Sequence, residues 1–264
     1  MLKNRLIPVL LLKNGLLVRS EKFSIHQVIG NPIHEVKRFN EWNVDELIYL
    51  DITEDSNYDI RRSDTKTKEM ISPIEILNEV SKSCFMPLTW GGKITNVEQM
   101  RQLFANGADK IAINSEAFRN NNLITQGAAM FGSQAIVVSI DVFCDIDNKY
   151  EVFIDGGKTP TGMQPREWAV IAEKMGAGEI LLQSINRDGI GSGYDLKLIG
   201  DISNAVKIPV IACSGVGDYR HYAQGINAGA SAVAAANIWH FKELSDRNAK
   251  RAMEKANINI RKVK

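Results

Sequence analysis

The sequence predicts a (βα)8 TIM barrel of the α/β class, and three observations carry that expectation. The chain has 264 residues, it repeats itself across its two halves, and short apolar runs alternate in it with longer stretches of helical period. A chain of this length holds eight βα units around one core. Self-similarity between halves marks a supersecondary arrangement used twice. Continuous runs such as Ile111-Ala112-Ile113 and Ile136-Val137-Val138 have the composition of strands buried on both faces, with the intervening helices as crossovers. A doubly wound open sheet is the structural competitor, and the repeat favours the barrel because two equal halves close into a ring.

The expected organisation is one domain over residues 1–264, with half-barrels at about 1–130 and 131–264. The first strand of each half runs from Arg5 to Leu11 and from Ala135 to Asp141. Pro32 and Pro165 then begin helices that lead, at equal spacing, to Glu46 and Glu179 at the start of the second strands. The third strands follow Pro87 and Pro209 and end in the glycine clusters Gly91-Gly92-Lys93 and Ser214-Gly215-Val216-Gly217. The fourth follow Gly107-Ala108-Asp109-Lys110 and Gly229-Ala230, ending at Asn114-Ser115 and Ala236-Asn237.

Composition sets bounds. A formal charge of +1 from 32 basic and 31 acidic side chains argues against a nucleic-acid or membrane surface driven by bulk charge. The apolar N-terminal stretch is short and broken by Pro8 and Lys13, a strand rather than a signal peptide, and no run is long enough to span a bilayer. Cys84, Cys144 and Cys213 fall in or beside apolar runs and are expected as small core residues in a reducing, cytoplasmic compartment. No cofactor or metal is called for.

In a barrel of this kind chemistry occurs where strands end and βα loops begin. Backbone amides freed at a glycine turn and aimed by a helix N-terminus cradle phosphate. Gly91 and Gly92 with Asn114 and Ser115, and Ser214 and Gly215 with Ala236 and Asn237, therefore form two candidate phosphate sites on opposite sides of one mouth. The expected ligand is a long phosphorylated small molecule charged at both ends. Each glycine cluster alone would signify no more than a tight turn; their symmetric placement favours the cradle. Lys93 is either a phosphate contact or a helix-start lysine facing water.

Several motifs together carry a family resemblance: Asp45-Glu46-Leu47, Leu50-Asp51-Ile52, Gly107-Ala108-Asp109-Lys110, Phe131-Gly132-Ser133-Gln134, Ile140-Asp141, Gly178-Glu179, Arg187-Asp188-Gly189 and Ser192-Gly193-Tyr194-Asp195. Over its whole length the chain resembles the cyclase subunit of imidazole glycerol phosphate synthase, the ammonia-using barrel of histidine biosynthesis. The resemblance implies a two-protein glutamine amidotransferase, with a separate glutaminase docked on the barrel floor and ammonia travelling up the axis. It implies a gate of four alternating charges, Arg5, Glu46, Lys110 and Glu179, and a glutaminase contact at Asp109. It also places Asp188 and Gly189 at the substrate. Solvated charges flanking strands are the ordinary alternative for the four, but two cations and two anions make a neutral ring whose burial requires mutual pairing.

The same resemblance exposes a departure. The family pairs two aspartates as general acid and base at the ends of strands one and five, and this chain has Asp141 in one place and Leu11 in the other. A positioned proton-transfer group contributes about 10²–10⁴ in rate, so cyclase activity is expected to be reduced or lost. Gln183 stands in place of the family's strand-six threonine, Asn186 replaces an acid, and Lys93 and Ser214 replace glycines. The segments around Ile7 to Gly15, Cys84 to Pro87 and Pro209 to Cys213 look like the paralogous branch of surface-polysaccharide pathways, associated with sugar amidation alongside an ATP-using amidotransferase. Residues 53–68 form a polar segment, either a solvated loop or a dock for an acceptor through Arg61 and Arg62. Residues 19–26 resemble the family's mobile lid, with His26 commonly no more than a surface residue. The expected function is ammonia channelling for sugar amidation. The alternatives are a genuine cyclase, a lyase of histidine biosynthesis in which Asp141, Asp51 or Asp188 covers for Leu11, and a scaffold that activates glutaminase alone.

Overall fold

A computed structural model of the protein describes residues 3–42, 44–55, 57–59, 70–242 and 245–262. Arg61 and Arg62, with most of the expected docking segment, lie outside the described residues.

Eight parallel strands form a closed barrel: β1 (Arg5–Lys13), β2 (Leu47–Asp51), β3 (Leu88–Gly91), β4 (Lys110–Ile113), β5 (Ile136–Cys144), β6 (Glu179–Ser184), β7 (Val210–Cys213) and β8 (Ala232–Ala235). Each pairs with its successor, and β8 pairs with β1 through Arg5↔Ala232 to Pro8↔Ala235, which closes the ring. The crossovers contain α1 (Pro32–Glu41), α2 (Pro73–Ser81), α3 (Val97–Ala105), α4 (Asn122–Phe131), α5 (Pro165–Met175), α6 (Leu196–Ser203) and α7 (Arg220–Asn227), and α8 (Ser245–Lys255) follows the last strand. The α/β barrel expected from the repeat is the fold observed.

Local chemistry starts the helices where the prolines stand. Asn31 accepts a hydrogen bond from Ile33 N and Ser72 one from Glu75 N, each followed by proline in the first turn, where its missing N–H costs nothing. Alternate side chains of each strand point to opposite faces, which divides the core in two. Ile7, Val9, Leu11, Ile48, Leu50, Val137, Leu181 and Ile211 fill the barrel interior with Ala112, Cys213, Ala232 and Ala234. Their neighbours Leu6, Leu10, Leu12, Tyr49, Ile111 and Ile180 belong to a second core shared with the helices.

Two expectations need correction. Leu11 and Asp141 do not end their strands: β1 continues to Lys13 and β5 to Cys144, each as the first arm of an antiparallel hairpin. β1 turns at Asn14-Gly15, both at positive φ, into Leu16–Glu21, which pairs with Ile25–Gly30. β5 pairs with Tyr150–Ile154, which in turn pairs with Thr159–Pro160. Of the three cysteines only Cys213 is buried; Cys84 and Cys144 are half-buried, Cys84 outside the strands and Cys144 as the last residue of β5. No helix among the described residues is long and apolar enough to cross a membrane.

Candidate functional site

At the barrel floor the four expected charges meet. Arg5 Nη1 lies 2.6 Å from Glu46 Oε1 and 2.8 Å from Glu179 Oε1. Lys110 Nζ lies 3.1 Å from Glu46 Oε2 and 3.1 Å from Glu179 Oε2. Each cation thus touches both anions, and the ring closes. Burial opposes the charge on Arg5, but Glu46 and Glu179 outweigh it and raise the guanidinium above its usual range. The residues preceding Glu46 and Lys110 play twin roles: Asp45 Oδ2 accepts from Leu6 N at 2.9 Å and Asp109 Oδ2 from Leu88 N at 2.8 Å. Asp109 is solvent-exposed at the floor, so its carboxylate fixes a strand start and also faces outward.

Above the ring the interior has a polar side and an apolar side. Thr89 and Ser139 are buried on β3 and β5. The opposite wall presents Ile7, Ile211, Ala232 and Ala234. The mouth is a cavity of about 630 Å³.

Asp141 lies in this mouth, buried. Its Oδ2 accepts from Asn114 Nδ2 at 2.8 Å and its Oδ1 from Gln183 Nε2 at 3.0 Å. Burial pushes the carboxyl up to about 7, against the opposing effect of the two amide donors. β1 and β5 stand half a ring apart, so Leu11 faces the mouth from the side opposite Asp141. It packs with Leu50 and Val9 and is only 9% exposed.

The other two acids considered as substitutes are already engaged. Asp51 Oδ1 accepts from Thr53 N at 3.0 Å and Thr53 Oγ1 at 2.6 Å, and Asp51 Oδ2 accepts from Tyr58 Oη at 2.8 Å. Asp188 Oδ2 accepts from Ser20 Oγ at 2.7 Å and from Phe23 N at 3.2 Å. Burial raises the Asp188 carboxyl above its ordinary range, with these donors opposing. The first loop is therefore an ordered hairpin fastened across the mouth, its turn made by Lys22 and Phe23 at positive φ. Gly189 makes room for it: a Cβ there would lie 2.3 Å from Ser20 O. Asn237 Nδ2 holds the same Ser20 O at 2.9 Å. His26 hangs from this hairpin over the mouth, and burial lowers its imidazole below its ordinary range.

The candidate phosphate positions fall as two groups on opposite sides of the mouth, with differences in detail. Gly92, at φ +125°, packs against Asp51, whose carbonyl a Cβ would meet at 2.4 Å. Gly91 lies inside β3 rather than on the cavity wall, because Leu50 and Ala112 close over it. The main helices start at Val97 and Arg220, several residues beyond the glycine loops and not directly at them. The helix N-termini beside the mouth belong instead to the short helices Ser115–Arg119 and Ile238–Phe241, which Asn114 and Asn237 precede. Ser115, Ser214, Gly215 and Ala236 line the cavity, whereas the Asn114 and Asn237 amides are committed to Asp141 and Ser20. Lys93 Nζ donates to Asp55 O.

Sequence reasoning missed the salt link from Lys158 to Glu54, at 2.7 Å, and from Glu54 to Lys13, at 3.5 Å, along the rim. It also missed Ser20 as an Asp188 partner. Asn14-Gly15 and Asp155-Gly156 were the available signals for the two hairpins that carry these contacts.

Comparison with known proteins agrees with this architecture. A family model described as histidine biosynthesis protein matches residues 5–245. The imidazole glycerol phosphate synthase subunit HisF of Alkaliphilus metalliredigens (strain QYMF) is 38% identical over 263 residues, covering 99% of this chain and 100% of the relative. The subunit of the same name from Chloroherpeton thalassium (strain ATCC 35110 / GB-78) is 41% identical over 262 residues, covering 99% and 100%.

Proposed function

The chain belongs to the histidine biosynthesis protein family, and from that premise we propose that it is the ammonia-conducting barrel of a two-protein glutamine amidotransferase whose own cyclase step is reduced or lost. A glutaminase docks on the floor around Asp109, ammonia passes the Arg5–Glu46–Lys110–Glu179 ring, and the mouth hands it to an acceptor in sugar amidation, served by an ATP-using amidotransferase. The observation that carries this reading is the contrast between the two ends of one axis. The floor ring is closed by four ion-pair contacts, while Leu11 gives the mouth an apolar wall opposite Asp141. A leucine moves no proton, and one positioned acid or base contributes about 10²–10⁴ in rate.

A second reading, a genuine cyclase binding a phosphorylated substrate, draws on the relatives, which are imidazole glycerol phosphate synthase subunits, and on Asp141, whose carboxyl at about 7 suits general acid–base work. One assay separates the two. Purified barrel receives ammonium salt and the family's ribulosyl intermediate, which bypasses the glutaminase. Turnover absent, or about 10²–10⁴-fold below an aspartate-bearing cyclase, supports ammonia conduction; rapid formation of both cyclase products establishes the lyase.

A further inference from the structure

The surroundings of Asp141 define which way a proton can move there. Adjacent strands β5 and β6 bring Asp141 and Gln183 level with each other. Gln183 Nε2 donates to Asp141 Oδ1 at 3.0 Å and to Ser139 Oγ at 3.2 Å, while Asn114 Nδ2 reaches Asp141 Oδ2 at 2.8 Å. Each carboxylate oxygen therefore receives an amide N–H, and an amide nitrogen donates without accepting. The amide of Gln183 has its nitrogen on this side because a carbonyl oxygen there would meet two more oxygens. The remaining neighbours do not reverse the pattern. Ser139 Oγ accepts from Gln183, so its hydroxyl is left to donate to Asp141; Leu11 and Leu50 are apolar, Cys213 on β7 is a thiol that burial pushes up to about 12, and Asp188 is engaged by Ser20 and Phe23.

We propose that Gln183 and Asn114 are positioning residues that clamp Asp141 as a lone proton acceptor, so that the mouth serves removal of a proton from nitrogen rather than proton exchange between opposite faces of a ligand. In that step, ammonia that has taken a proton from water in the open mouth gives it up again: an N–H bond of the resulting ammonium ion breaks and its electron pair stays on nitrogen. The proton forms an O–H bond on Asp141 and then returns to water through the open mouth. A cyclisation that needs an acid on one face and a base on the other has no second group at Leu11. Threonine, the residue of the resembling family at position 183, carries a hydroxyl that can donate or accept; the Gln183 amide nitrogen leaves only donation. The identity of the nitrogen rests on the proposed ammonia delivery, whereas the clamp itself does not.

The test follows the Asp141 side-chain carboxyl by carbon-13 NMR from pH 4 to 9, in the whole barrel without ligand. Wild type is compared with Gln183→Met, which keeps volume but donates nothing, and with Asn114→Ala, which removes the other donor. Each variant should raise the titration midpoint by about one pH unit or more. A midpoint that stays put or falls in either folded variant overturns the clamp, as does a wild-type carboxyl that remains protonated throughout. Ammonia delivery is read separately, as glutamine-driven product, so a raised midpoint without delivery keeps the clamp and removes the functional reading.

Discussion

Replacing Asp141 with asparagine should make the barrel more stable above neutral pH while leaving it nearly unchanged in acid. The folded carboxyl sits at about 7 against an ordinary 3.8, chiefly because burial disfavours its charge. A carboxyl raised on folding contributes stability that is fully present below its unfolded value and is lost as pH rises through the folded one. At about 1.4 kcal/mol per pH unit, the interval from 3.8 to about 7 gives a ceiling of about 4 kcal/mol lost by pH 8. Asparagine is the near-isostere of the neutral acid: each accepts from one of the two clamping amides and turns a donor toward the other, so the two proteins should match near pH 4. Chemical denaturation at half-unit steps from pH 4 to 8.5 gives the difference directly, since every other titrating group is shared. The variant should gain on the wild type from pH 4 to about 7 and hold a constant lead above. Parallel stability curves over that range would refute burial as the dominant influence on Asp141.

Three further outcomes are expected. Lys110→Ala leaves Glu46 and Glu179 with Arg5 as their shared cation, so the loss should fall near the lower end of a broken buried pair, about 3 kcal/mol. With a glutaminase partner at saturation, the ratio of glutamate to amidated product should also rise, and an unchanged ratio would remove the gate. Leu11→Asp inserts a carboxylate into an apolar wall, and thermal melts should show destabilisation of about 1–3 kcal/mol together with partial recovery of cyclase turnover; a variant as stable as the wild type would contradict the packing around Leu11. Ser20→Ala removes the hydroxyl that Asp188 accepts, and hydrogen exchange at residues 19–26 should speed up while the barrel strands stay protected; unchanged exchange would mean that this bond does not fasten the hairpin.

How much of this was legible in the chain depends on the range of the forces involved. The eight strands were visible because a strand buried on both faces is apolar along continuous runs, and that demand acts on consecutive residues such as Ile136 to Val138. The floor ring was visible through the resemblance; burial of two cations beside two anions then required the pairing that closes it. The mouth was harder, because its partners lie far apart: Ser20 reaches Asp188 across 168 residues and Asn237 reaches Ser20 across 217. Nothing local distinguishes an asparagine that cradles an anion from one that steadies a carboxylate or a hairpin. Asn114 and Asn237 therefore occupied the expected places while their side chains met other groups. The short hairpin turn at Asn14-Gly15 was local, and only its consequence was hidden. It carries Ser20 over the mouth, where the Asp188 oxygen that would face a ligand instead holds the hairpin. Ser20 and the Phe23 N–H both occupy Oδ2 of Asp188, so a ligand that uses this oxygen must displace them, and access to the mouth and the affinity of that acid are linked through it.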